Sequence, residues 1–507
     1  MAVLTGRLRL IELLASLSLA TDLATGQPMG HGIRTCLLAV RIARQLGCES
    51  DEIRNVQQVA LLRFLGCTAD AGETARAVGG DEISFNATMA PVFFGGTTES
   101  LRTLTGAVGV GLPPLRRIGL LAGMVADRQG ARRSMNAHCE VAAMLAERLG
   151  LEPPVTEALG HAYERWDGGG FPDGQVGDDI PLPIRVCTVA RDVDLVVRGG
   201  GDPVRLLHER RDHAYDPRVV DAFSALSGWT AEADWEAVLE DEPKPEQRAT
   251  DLDLVLEVMA DFADLKSSWT RGHSRRVARL ASSAAERAGL GVEEVETIRR
   301  CGLIHDLGRV GVENGIWDKA GPLSVDEWEK VRLHPYLTER ILSRCVTLRP
   351  LAETASRHHE RLDGSGYHRQ MAGLQLTLAD QILAAADMWD ALTIDRPHRV
   401  AVGVEGAADT LRRAAKDGRL NAEATSHVLA VAGARTVPVA GSRPTELTDR
   451  EMEVLRLITK ELTNRQMAEE LFISPKTVGR HIENIYTKIG VSTRAGAAVY
   501  AMEHGLI

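Results

Sequence analysis

The sequence predicts an all-α protein, and two observations carry that expectation. Hydrophobic residues reach 44% of the chain but aromatic residues only 4%, so the cores are expected to be aliphatic packing between helices, not the faces of sheets. Apolar residues also recur at helical spacing behind marked helix starts, as with Val478, Ile482, Ile485 and Ile489 behind Ser474-Pro475. At 507 residues the chain exceeds what one core usually organises, and two to four domains are expected.

The first apolar stretch, Leu8 to Ala20, is short, contains Glu12 and follows Arg7 and Arg9, so an amphipathic helix is expected there and not a membrane span. Two stretches read as joints. Residues 241–250 are charged and interrupted by proline, and residues 433–446 are rich in Gly, Pro, Ser and Arg. They set the expected domains at 1–240, 251–432 and 447–507.

A net charge of −11 excludes bulk attraction to nucleic acid or to an anionic membrane, so any DNA contact must come from a local patch. Seven cysteines without a Cys-x-x-Cys pair, and no signal peptide, fit packed thiols in a cytoplasmic protein.

Chemistry concentrates between His273 and Asp387. Metal-ligand residue types recur there in order: His273, His305-Asp306, His334, His358-His359 and Asp387. No helix-packing pattern needs such a run, whereas imidazoles and carboxylates are what borderline divalent metals bind, and a His-Asp pair sets a nitrogen beside a carboxylate able to bridge two ions. A dinuclear hydrolase site follows as the simplest reading. Asp306 is the expected bridge, and Arg309, one turn past His305, is expected to clamp a phosphate oxygen.

The first part of the chain echoes the second. Glu164 to Pro172 matches Glu360 to His368, Leu61 to Gly66 matches Leu303 to Gly308, His31 precedes a helix as His273 does, and His138 parallels His334. Duplication is the simplest account. Arg63-Phe64 stands in the place of His305-Asp306, Ala162-Tyr163 in that of His358-His359, and Arg191 in that of Asp387. A guanidinium cannot ligate a metal. The first copy is therefore expected to be metal-free, with His31, His138 and His161 as core or surface histidines.

Through His305-Asp-Leu-Gly-Arg-Val-Gly311, His334-Pro335, His358-His-Glu-Arg361, Asp363-Gly-Ser-Gly-Tyr367 and Ala386-Asp387, residues 251–400 resemble the HD-GYP family of HD phosphohydrolases. The resemblance implies a helical bundle holding iron or manganese that hydrolyses cyclic di-GMP, with Asp306 and Arg309 at the chemistry and Arg309, Asp363, Gly366 and Tyr367 toward substrate. Trp269 stands where the family often has a Glu for a third metal, which implies two ions. Arg309 replaces its usual Lys, and His368 replaces the Pro of the Gly-Tyr-Pro signature.

The third part opens on a capping box, Thr448 with Glu451, and Thr463 with Gln466 repeats it. The helix begun by Ser474-Pro475 leaves Lys476, Thr477, Arg480, His481, Asn484 and Lys488 on its open face, a set suited to a major groove. Residues 447–507 resemble the LuxR-type helix-turn-helix, through Leu447-Thr-x-Arg-Glu451, Ile473-Ser-Pro-Lys-Thr-Val478 and Lys488-Ile-Gly-Val-Ser-Thr-Arg494. That resemblance implies DNA binding and a fourth helix, about Arg494 to Glu503, that dimerises such modules. The whole is thus expected to be two HD-type bundles joined to a four-helix DNA-binding domain, a homodimer without membrane attachment. Its function is expected to be a cyclic di-GMP phosphodiesterase coupled to transcription regulation. The alternatives are an inactive nucleotide- or metal-sensing transcription factor, and a hydrolase of another phosphoester.

Overall fold

The computed structural model describes residues 9–92, 97–127, 129–228, 232, 234–242, 251–434 and 447–507. Both expected joints fall largely outside these. Among the described residues the secondary structure is helical, with a few isolated bridges and no strand. The all-α expectation holds. No described helix is long and apolar enough to cross a membrane. The chain divides into two compact units, Met1–Leu252 and Asp253–Ile507, so the 447–507 module belongs to the second.

In the first unit, the Leu10–Ala24 helix is buried along nearly its whole length, Glu12 and Asp22 included. The amphipathic helix expected here is thus a buried core helix, packed on the His31–Gln45 and Ser50–Leu62 helices. Its Asp22 accepts the amides of Gly30 and Gly32 at 2.7 and 3.0 Å, which turns the chain into the His31–Gln45 helix.

The second unit repeats that turn. Asp264, near the end of the Leu252–Asp264 helix, accepts the amide and hydroxyl of Ser274 at 2.9 and 2.8 Å, and Gly272 turns at φ 71° into the His273–Arg287 helix. That helix packs on Val292–Ile304 through a face of small residues. A Cβ on Gly302 would lie 2.6 Å from the Ala278 Cα, so only glycine permits this approach. The Leu378–Thr393 helix, started by Thr377 with Asp380 in a capping box, closes the bundle.

Glycines also set the distances around the later site. Gly308, in the short 3₁₀ turn Leu307–Gly311, would place a Cβ 2.1 Å from the His334 carbonyl oxygen, and Gly66 would place one 1.9 Å from the carbonyl of His138. In both units a loop is hung on a buried glutamate. Glu360 accepts the amides of Arg369 and Met371 at 2.7 and 2.9 Å, and Glu164 those of Asp173, Gly174 and Gln175 at 2.7, 3.0 and 3.0 Å. Gly308→Ala should cost about 1–3 kcal/mol of stability by overpacking. Gly321→Ala, with nothing within 4 Å of its Cβ, should be nearly neutral. Denaturant midpoints compare the two, and equal midpoints would contradict the close approach.

Candidate metal centre

Three of the site's histidines are aimed by the same local device. His305 follows the Val292–Ile304 helix, His334 sits between Val325–Arg332 and His334–Leu342, and His358 follows Arg349–Ser356. Helix ends leave carbonyls without intrahelical partners. Each ring turns back so that Nδ1 meets the carbonyl three residues earlier: Gly302 at 2.9 Å, Val331 at 2.6 Å and Ala355 at 2.7 Å. That contact leaves Nε2 of each ring facing inward, the arrangement that orients imidazole for a metal. His273 is aimed differently, its Nδ1 lying 2.7 Å from Asp390 Oδ2.

The inward atoms fall into two groups on either side of Asp306. His273, His305 and Asp387 can each offer one donor within a 4.8 Å cluster, and so can His334, His358 and His359. Asp306 Oδ2 faces the first group, 3.5 Å from His273 Nε2 and 3.6 Å from His305 Nε2. Its Oδ1 faces the second, 3.4 Å from His334 Nε2 and 3.5 Å from His358 Nε2. The seven positions named from sequence therefore converge. Nε2 of His273 and of His305 are buried without a hydrogen-bond partner, which fits a cation among them.

Charge state suits ligation at Asp306, Asp387, His358 and His359, whereas, against burial, the neighbouring carboxylates push His273 and His305 up, toward imidazolium that an arriving cation would have to deprotonate. Burial opposes ionisation of Asp306, but the charges of Arg309 and His305 and the facing imidazoles of His273 and His334 hold its carboxyl well below the usual range. Asp387 is held low in the same way by His273 and His305. Burial depresses His358 to about 4 and pushes His359 well below its ordinary value, so both are neutral near pH 7.

The other expected residues take more specific places. Arg309 donates to Asp306 Oδ2 at 2.8 Å and lies 4.0 Å over the Trp317 ring, so its first role is to orient the bridging carboxylate. Tyr367 stacks near His359, with centroids 4.7 Å apart. Asp363 and Gly366, expected toward substrate, instead build the loop. Asp363 accepts the amide and hydroxyl of Ser365, and a Cβ on Gly366 would lie 2.5 Å from the Arg361 amide nitrogen. His368 ties the loop to the His334–Leu342 helix, its Nε2 3.3 Å from Glu339 Oε2. Asp390, part of the Ala386-Asp387…Asp390-Ala-Leu motif, has a role that the motif did not give, and Arg276 was not anticipated. Arg276 Nε meets Asp390 Oδ1 at 2.8 Å, a contact between residues too far apart in sequence to show as a motif.

The first unit has the same supporting contacts and different residues at most of the donor positions. His31 Nδ1 lies 2.6 Å from Asp194 and Arg34 Nε 2.7 Å from the same carboxylate, matching His273, Asp390 and Arg276. Arg63 is buried where the repeat places His305, donating to the Ala162 carbonyl at 2.6 Å and to Thr188 Oγ1 at 2.8 Å. Burial, with Arg191 nearby, lowers it to about 10, so it stays charged near pH 7. His138 is held by Asp70 at 2.6 Å and Tyr163 at 3.0 Å. His161, Glu164 and Asp173 form a further donor cluster, but Glu164 is already committed to three loop amides.

In the C-terminal module, Lys476, Thr477, Arg480 and Asn484 are exposed on the Pro475–Ile489 helix and His481 is half-buried. Lys488 is held differently from the others: its Nζ bonds Glu451 at 2.7 and 2.9 Å, tying the helix to the first capping box. The Arg494–Glu503 helix is buried at five consecutive positions, Ala495 to Val499, which occupy every side of a helix.

An HD-domain family model matches residues 128–219 and 257–423, and the model for bacterial regulatory proteins of the luxR family matches 445–501. The chain is 29% identical over 422 residues to 3'3'-cGAMP-specific phosphodiesterase 3 of Vibrio cholerae serotype O1, covering 80% of this chain and 91% of that one. It is 35% identical over 147 residues to a cyclic di-GMP phosphodiesterase of Thermotoga maritima, covering 29% of this chain and 40% of that protein. A crystal structure of a cyclic GMP-AMP-specific phosphodiesterase of V. cholerae aligns with a TM-score of 0.56 at 24% identity, over 84% of this chain and 98% of that one. It supports the fold.

Removing the charge that aims His273 tests the centre. Asp390→Asn should weaken divalent-metal affinity by about 10–100-fold in chelator-competition titration. Unchanged affinity would separate His273 from the metal.

Proposed function

The chain belongs to the HD-domain family and carries a C-terminal luxR-family domain, and from that premise we propose that it is a metal-dependent phosphodiesterase of cyclic dinucleotides that also binds DNA. The observation that carries the reading is Asp306, whose two oxygens each face a separate cluster of donors. His273, His305 and Asp387 would hold one ion and His334, His358 and His359 the other, with Asp306 shared. Imidazole with carboxylate suits iron or manganese. Ions held there supply Lewis acidity toward a phosphodiester and lower the pKa of water, so no side-chain nucleophile is required.

The protein's own groups do the rest. Arg309 keeps Asp306 ionised and fixed, Asp390 and three backbone carbonyls keep the Nε2 atoms inward, and Tyr367 walls the site beside His359. Burial holds the Tyr367 phenol protonated, so it can donate to a substrate oxygen. Relatives named for 3'3'-cGAMP and for cyclic di-GMP make these the two substrates to compare. We read the first unit as a degenerate, metal-free copy in which the Arg63 guanidinium supplies a fixed internal charge.

Anaerobic incubation of manganese- or iron-loaded protein with each dinucleotide, followed by chromatography, should give linear or mononucleotide products that His305→Ala does not form. Metal binding without any product would leave a sensor in place of an enzyme. For the DNA-binding half, Arg480→Ala should lower affinity for duplex DNA and flatten its salt dependence by about one ion. An unchanged salt slope would place the DNA contact elsewhere.

A further inference from the structure

Arg271 lies two residues before the metal-site histidine His273, and its buried side chain serves the C-terminal module. Its guanidinium donates to the carbonyl of Thr459 and, at 2.8 Å, to Glu461 Oε1. Glu461 presents that carboxylate from a left-handed backbone conformation, φ 57°, which a non-glycine residue adopts at a cost. Ile507 approaches the same turn, its carbonyl oxygen 3.4 Å from where a Cβ on Gly272 would stand. In the repeated turn of the first unit Met29 occupies the place of Arg271, so the turn itself does not need an arginine.

A continuous set of polar contacts joins this surface to the centre. His273 meets Asp390, Asp390 meets Arg276, and Arg276 Nη1 donates to the Arg271 carbonyl at 2.9 Å. Resting on the reading of residues 253–432 as a metal-binding lobe, we propose that the Arg271–Gly272 turn is the docking surface for the chain's own DNA-binding module, and that occupancy of the centre sets how firmly it is held. A shift of His273 on binding metal pulls on Asp390 and Arg276, and through them on the backbone that carries Arg271. The held module has its Lys476, Arg480 and Asn484 face exposed.

The test is amide hydrogen exchange on the full chain. Glu461→Arg should speed exchange at residues 270–273 and 457–462 on the order of tenfold, as expected for losing a hydrogen bond between charged groups. The swapped pair Arg271→Glu with Glu461→Arg should restore protection, which a merely misfolded module would not do. Wild-type protein stripped with EDTA and then given manganese should change protection at 457–462, and Glu461→Arg should not. Wild-type exchange rates in Glu461→Arg, failure of the swap in a folded protein, or a manganese response that persists in Glu461→Arg would each overturn the proposal. None of these readouts requires turnover. A manganese response without hydrolysis retains the docking surface and discards the enzyme, whereas hydrolysis without a manganese response does the reverse.

Discussion

The second unit is organised around the negative charge of Asp306. A buried carboxylate is costly unless its charge is met, and here it is met by Arg309 on one side and by the inward nitrogens of four histidines on the other. Those histidines come from separate helices, so the carboxylate can keep its place only if the helix ends arrive together. The small residues of the His273–Arg287 and Val292–Ile304 pair and the close approach at Gly308 make that arrival possible. Metal ligation and bundle packing are therefore one problem in this unit. A cation among the donors would offset the desolvation of the same carboxylate.

Orientation is managed with little chemistry. Three rings use a backbone carbonyl three residues upstream, a partner present at almost any helix end, and so they need no dedicated side chain. His273, whose Thr270 carbonyl already accepts its own amide at 2.9 Å, is aimed by Asp390 instead, and Asp390 in turn meets Arg276. The first unit has the same His-Asp-Arg set and a glutamate-hung loop, with Arg63 where the second unit has His305. Arg63 is the counterpart: a permanent cation that donates to a carbonyl and a hydroxyl where the other unit gathers imidazoles.

The parts of the fold legible in advance were those with local causes. Capping boxes at Thr448 and Thr463 and the Pro at position 475 start their helices where expected, because a cap is a contact over three residues. The Leu10–Ala24 helix was misjudged because Glu12 and Arg9 suggest a wet face, whereas burial depends on what the rest of the unit lays over it. Lys488 was legible as a basic residue on an open face but not as the partner of Glu451, which lies 37 positions away.

By itself the sequence determined the kinds of donor and their order, and the echo between residues 164–172 and 360–368, since residue type and spacing are local properties. Only the tertiary structure decided that Asp306 turns one oxygen to each donor group, that Arg309 serves Asp306, that Asp363 and Gly366 shape the loop, and that Arg271 reaches a carboxylate 190 residues away. Each is a choice among several partners a polar side chain could satisfy. Packing makes that choice, by fixing which groups are buried together and must neutralise one another.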